Sequence, residues 1–320
     1  MPYRRHIVIR RALAAATAAA AAIALGLGTA TPAAADANTS PNYLVVYNNN
    51  IENWLPASCA DGKLFDRLIA YLKRQPKSPD IFTVQQVSNA TQLAALTRRL
   101  TDELPGTYAG QIAIADPGSM GYTSTCGKLK NQQTNAVIYR SDRLAVRDVT
   151  RWRSDAPENY DAGTGPCRNL EPTRSSQDRV HNIAVRLHDT IRGEDVSVAS
   201  IHWPTGTWYG PECATENMNE ANEAMGRLGG TLQIVAGDTN ARPSSTNWWR
   251  TARDLGYRDP IAERCGAAAC SSAYNTTTNS RIDFILVKSG HGFSNVATIT
   301  ESMTGGAYSD HRAVTAYVNY

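Results

Sequence analysis

The sequence has almost no surplus of either charge: 32 Lys and Arg stand against 29 Asp and Glu. Four of the arginines, Arg4, Arg5, Arg10 and Arg11, fall in residues 1–35, which hold no acid. The remainder therefore carries 28 basic and 29 acidic residues, a net charge of −1. Such a balance does not demand a broad cationic face for nucleic acid, although a local patch is compatible with it. No two of the six cysteines are spaced Cys-x-x-Cys, and the histidines are few and scattered. Both absences count against the usual thiolate and three-histidine zinc sites. There is no internal repeat, heptad pattern or long linker, which excludes solenoids and coiled coils.

Residues 1–35 read as an export signal rather than fold. A basic start is followed by an uncharged run, Ala12 to Ala35, that is mostly alanine and ends in Ala33-Ala34-Ala35. Basic region, apolar region and small-residue exit are the marks of a secretory signal peptide. A membrane anchor is disfavoured, because alanine and glycine are weakly apolar and Pro32 interrupts the run. The expectation is a secreted, monomeric protein without stable membrane insertion, formed by residues 36–320 as a single domain. Cys59, Cys126, Cys167, Cys213, Cys265 and Cys270 all lie in that part. An even count in an exported chain favours three disulfides, with Cys265–Cys270 as a local clasp.

Short apolar runs predict strands at 43–47, 80–87, 135–139, 181–187, 196–202, 232–236, 282–287 and 312–318. Leucine and methionine stripes at helical spacing predict helices near 64–72, 93–104 and 218–228. Asp36 to Pro41 reads as a polar tail, and 110–130 and 154–177 as loops. Alternation of buried strands with helices indicates an α/β or α+β domain.

Polar residues gather just past the ends of these strands, where active sites of such sheets lie. Asn50 follows Tyr43-Leu-Val-Val-Tyr47 and offers an amide oxygen to a hard cation or a phosphate. His202 ends the 196–202 strand and can donate to a phosphate oxygen or protonate a leaving alkoxide. In Gly237-Asp238-Thr239-Asn240, Gly237 permits a tight turn, Asp238 can take a proton from water, and Asn240 can bind phosphate without adding charge. Asp283 enters the apolar strand Phe284-Ile-Leu-Val287, a costly position for an acid unless it is paired. It can orient a histidine, as in hydrolytic triads. In Ser309-Asp310-His311, Asp310 can bind metal, and His311 paired with Asp283 can handle a proton. Oxygen donors of this kind suit magnesium, calcium or manganese.

With these motifs in this order, the sequence resembles the endonuclease/exonuclease/phosphatase superfamily, the deoxyribonuclease-like proteins, from Tyr43 to Val318. Asn50 resembles the family's first-strand asparagine, with Asn48 and Asn49 as alternatives. His202, Asp238, Asn240, Asp283, Asp310 and His311 fall on its catalytic histidine, Gly-Asp-x-Asn pair, orienting aspartate and Ser-Asp-His ending. The resemblance implies a four-layer αββα sandwich of two mixed β-sheets flanked by helices, and magnesium-assisted cleavage of a phosphate ester. In Gln85-Gln86-Val87, Gln86 stands where the family has a metal-binding glutamate. An amide offers an oxygen but no charge, so metal affinity falls. Asp310 is then the main anchor, and Glu52 lies near enough in sequence to substitute.

The expected activity is a metal-dependent phosphodiesterase acting as an endonuclease on DNA or RNA. The alternatives are a sphingomyelinase-type phospholipid phosphodiesterase or a small-molecule phosphatase. Trp203, Trp208 and Tyr209 motivate the lipid reading, as aromatics able to enter an interface. A second alternative, motivated by Gln86, is a catalytically weakened binding protein.

Overall fold

The computed structural model describes residues 35–121, 125–154, 175–205, 210–245, 247–267 and 270–320. The proposed signal at 1–35, save Ala35, lies outside the described residues, as do Cys167, Trp208 and Tyr209.

Among the described residues, twelve strands form two six-stranded sheets. The first holds β1 (Tyr43–Asn50), β2 (Ile81–Val87), β3 (Tyr108–Ile112), β4 (Thr134–Arg140), β11 (Gly292–Thr298) and β12 (Val314–Asn319). Their order is β11-β12-β1-β2-β4-β3. The second holds β5 (Leu144–Arg153), β6 (His181–Asp189), β7 (Glu194–His202), β8 (Leu232–Asp238), β9 (Tyr257–Arg258) and β10 (Asp283–Lys288). Their order is β5-β6-β7-β8-β10-β9. Each sheet is mixed: β1 runs parallel to β2, and β7 parallel to β8, while the other neighbours are antiparallel.

The period of two along each strand builds the layers. On β1, Leu44 and Val46 join a core between the sheets with Val137, Val198, Ile234 and Ile285. The intervening Val45 and Tyr47 face outward, against α1 (Asp66–Leu72) and α2 (Ala90–Glu103). On β7, Val196 and Val198 face the first sheet, whereas Ala199 and Ile201 pack under Met218, Ala221 and Met225 of α4 (Gly210–Leu228). The short helices α3 (Lys128–Asn131), α5 (Trp248–Asp254), α6 (Pro260–Cys265) and α7 (Glu301–Thr304) complete the set. This is the expected four-layer sandwich. Strands covered on both faces are nearly continuous apolar runs, which is why the sequence announces them.

Three findings revise the sequence reading of this frame. Residues 36–41 are not a free tail: Asp36 bridges Lys77, and Asn38 is buried, donating to Asp80 Oδ2 at 2.6 Å. Asp80 belongs to a buried network in which Arg140 Nη1 lies 3.0 Å from its Oδ1 and Arg143 Nη1 3.3 Å from its Oδ2. Arg143 also meets Asp189 at 2.6 Å, and Tyr320 donates to the same carboxylate. Trp203 is fully buried, edge-on to Trp248, and so unavailable to a lipid interface. Gly237 lies within β8 rather than in a turn; a Cβ there would stand 1.9 Å from the Ile201 carbonyl oxygen, so close strand approach demands glycine. Disulfides join Cys59 to Cys126 and Cys265 to Cys270, the latter being the expected clasp. Among the described residues no helix is long and apolar enough to cross a membrane.

Candidate active site

The parallel pairing of β7 with β8 and the antiparallel pairing of β8 with β10 set His202, Asp238 and Asp283 side by side at one rim. His202 is opposite Asp238, and Asp238 opposite Asp283. The end of β1 in the other sheet supplies Asn50, and the segment before β12 supplies His311. All four buried members, Asn50, His202, Asp238 and Asp283, are at most 1% exposed.

Their polar atoms converge on Asp238 Oδ2. Asn50 Nδ2 donates to it at 3.0 Å, His202 Nε2 lies 3.5 Å away, and His311 Nε2 3.8 Å away. Asp238 Oδ1 accepts from the Asn240 amide at 2.8 Å. His311 Nδ1 is paired with Asp283 Oδ2 at 2.9 Å, as expected, so Asp283 is a buried orienting acid rather than a surface carboxylate. Ser309 locks this turn to β1: its hydroxyl donates to the Asn50 carbonyl at 2.5 Å and accepts from His311 N at 3.1 Å. Asn240, at φ 48°, donates through Nδ2 to the Trp203 carbonyl at 2.8 Å. An amide carries two N–H groups, so one remains for a ligand.

The two histidines have opposite electrostatics. Burial pushes His202 down to about 4; Asp238 opposes this, while Arg179 and His311 add to it. Burial would also lower His311, but Asp283, Asp238 and Asp310 overcome it and raise His311 to about 10. His311 is therefore an imidazolium at neutral pH and His202 a neutral imidazole. Burial raises Asp238 above the ordinary carboxylate range, with the charge of Asp283 adding and both histidines opposing. Among the described residues, Asp238, Asp283 and His311 are the one group of three His, Cys, Asp or Glu side chains with ligand atoms within 4.8 Å of one another. Within that group His311 is held by its hydrogen bond to Asp283.

The metal-ligand expectations fall elsewhere and divide. Gln86 and Asp310 line a cleft of about 220 Å³ with Glu52, Lys130, Gln133 and Arg179. Asn50 is not among the lining residues: its amide nitrogen is on Asp238 and its oxygen accepts from Glu52 N at 3.3 Å. Its side chain therefore faces Asp238 rather than the Gln86 and Asp310 side chains of the cleft. Gln86 sits in a bulge of β2 at φ 59°, and its Oε1 accepts from Gln133 at 3.2 Å. The donors fit a hard cation: Asp310 is exposed, Glu52 half-buried, and both are carboxylates. Burial and then the charge of Asp310 raise the Glu52 pKa, with Lys63 at 2.9 Å in opposition. Two carboxylates crowded in this way are stabilised by a cation.

Four supporting residues escape a motif search. Asn182 at the start of β6 accepts from His202 N at 2.8 Å. Thr276 Oγ1 accepts from Asp283 N at 3.1 Å. Arg179 and Lys130 bring positive charge to the cleft. Asn182 follows the same signal as Asp283, a polar residue opening an apolar strand; loop residues such as Arg179 carry no such signal.

No family model and no curated protein matches the chain. Solved structures do. A Bacteroides thetaiotaomicron endonuclease/exonuclease/phosphatase family protein is 18% identical, with a TM-score of 0.59 over 87% of this chain and 95% of its own. The mannosyl-6-phosphatase Bt3783 of the same organism is 16% identical, with a TM-score of 0.58 over 87% and 100%. D. rerio TDP2 complexed with a single-strand DNA product is 15% identical, with a TM-score of 0.58 over 87% and 99%. At these identities the likeness is one of fold.

Proposed function

We propose that this chain, which carries the fold of endonuclease/exonuclease/phosphatase proteins, is a phosphoric ester hydrolase. The observation that carries the reading is the convergence of Asn50, His202 and His311 on Asp238, with Asp283 behind His311. Asp238 is the base: burial raises its pKa, which strengthens it as an acceptor for the proton of an attacking water. Asn50 holds the carboxylate in place. His311, cationic and oriented by Asp283, donates from Nε2 to a phosphate oxygen or to the leaving oxygen. His202 stays neutral and confines Asp238 from the β7 side. In this reading His311 rather than His202 is the proton donor. Asn240 offers its second amide N–H to the phosphate. Asp310 and Glu52 would hold a magnesium, calcium or manganese ion with the Gln86 amide, and such an ion neutralises a non-bridging oxygen when bound.

Lys130 and Arg179 favour an anionic diester and support the nuclease reading; the export signal fits action outside the cell. The test is a substrate panel of DNA, RNA, phospholipid and small phosphate esters, with metal ions added back after chelation. Turnover that returns with one ion class is expected. No turnover of any ester under any ion would end the reading and leave a binding protein.

A further inference from the structure

The turn after β1 serves two cavities. Glu52, Asn53 and Trp54 have φ of 48°, 67° and 39°. Non-glycine residues avoid this left-handed region, and runs of them persist only where the surroundings impose them. Here the Asn53 amide donates to the Gln132 carbonyl at 2.5 Å and to Ser88 Oγ at 3.2 Å, and Gln92 donates to the Asn53 carbonyl. The turn directs Glu52 into the phosphate cleft and Trp54 into a second, larger cavity of about 870 Å³. Leu55 lines both.

The larger cavity is an apolar chamber. Trp54, Leu55, Leu64, Phe65, Ala95 and Leu129 are among its walls. The Cys59–Cys126 disulfide lies between wall residues of the two sides, Trp54 to Asp66 on one and Lys128 and Leu129 on the other. Its charged residues are already paired: Asp116 lies 4.0 Å from Lys128, and Asp66 3.8 Å from Arg99. No surplus cation is set there for a polynucleotide backbone, which needs one. The size is that of a small-ligand pocket, and such pockets are mostly apolar with a few polar groups beside them.

We propose that this chamber receives the apolar group of a phosphate ester whose phosphate lies in the adjoining cleft, an alkyl or acyl chain being the occupant the walls fit. The proposal rests on the phosphoric ester reading of the cleft and narrows it. Leu55 is a wall of both cavities and sets them side by side, and the proposed ligand crosses from one to the other over it.

The test uses octyl phosphate and ethyl phosphate, each below its micelle-forming range, with binding to the full chain measured by calorimetry. Octyl phosphate should bind roughly tenfold or more tightly, since each buried methylene adds apolar area. Ala95→Trp, on an exposed part of α2 lining the chamber, should remove most of that difference by filling the space. Thr91→Phe is a second filling variant should the first fail to fold. Equal binding of the two phosphates by wild type overturns the proposal. So does an oligonucleotide whose binding is lost in either filling variant, which would assign the chamber to bases. Chain-dependent binding without hydrolysis of any phosphate ester sinks the hydrolase reading and leaves the chamber assignment standing.

Discussion

Asp283→Asn is the sharpest perturbation of this site. The amide keeps the shape of the carboxylate and removes its charge, while Asp238 and Asp310 remain. His311 is raised from 6.5 to about 10, a net preference for the imidazolium of about 5 kcal/mol. Asp283 is the first carboxylate responsible, and it is hydrogen-bonded at 2.9 Å. An opposite charge at such range moves a pKa by about 1–3 units. The alkaline limb of kcat/KM should therefore fall by about two pH units. The rate at neutral pH should fall on the order of 10²–10⁴-fold, through lost orientation as well as lost charge. Linkage supplies a readout independent of turnover. A raised pKa contributes stability that is full below pH 6.5 and lost as pH rises through about 10. Wild type should lose stability across that window, and Asp283→Asn should show a flatter curve. The assays are a pH–rate profile, an NMR titration of His311, and urea unfolding at several pH values. An unchanged alkaline limb together with an unshifted His311 titration would refute the argument.

Three further outcomes are expected. Gln86→Glu adds a third carboxylate beside Asp310 and Glu52, so magnesium should bind roughly tenfold or more tightly by calorimetry; unchanged affinity would remove position 86 from the ion site. Arg143→Met strips the buried Asp189 carboxylate of its arginine, leaves Asp80 with Arg140 alone, and should cost about 3–5 kcal/mol in urea unfolding. A loss below about 1 kcal/mol would mean that the network is not a paired-charge lock. Trp203→Ala should destabilise by about 3–5 kcal/mol, because the ring is buried against Trp248, and should leave vesicle binding unchanged. A selective loss of vesicle binding would restore an interfacial role.

The strands that the sequence announced and those it concealed differ in one respect. The eight predicted from apolar runs are interior to the two sheets. The four it concealed, β3, β5, β9 and β11, are the four edges. An edge strand packs fewer neighbours and tolerates polar residues: β5 reads Leu-Ala-Val-Arg-Asp-Val-Thr-Arg-Trp-Arg and is largely exposed along its middle. Gly110 in β3 looks like a loop residue, yet it fits the strand and lets Leu93 pack closely, since a Cβ there would crowd Leu93 at 3.0 Å.

The site divides along similar lines. Local sequence determined which residues stand at the rim, because a polar residue ending or opening a buried apolar strand is visible without coordinates. That is true of His202, Asp238, Asp283 and His311. Only the tertiary structure decided what each one does. Packing of the two sheets, which joins residues far apart in the chain, turns Asn50 toward Asp238 and away from the cleft lined by Asp310 and Glu52. The asymmetry between a neutral His202 and a cationic His311 comes from which carboxylates the fold sets against each ring. The left-handed turn at Glu52–Trp54 is imposed by Ser88, Gln92 and Gln132, none of them adjacent in sequence. Burial and long-range pairing set charge and orientation, and neither is a property of a short stretch of chain.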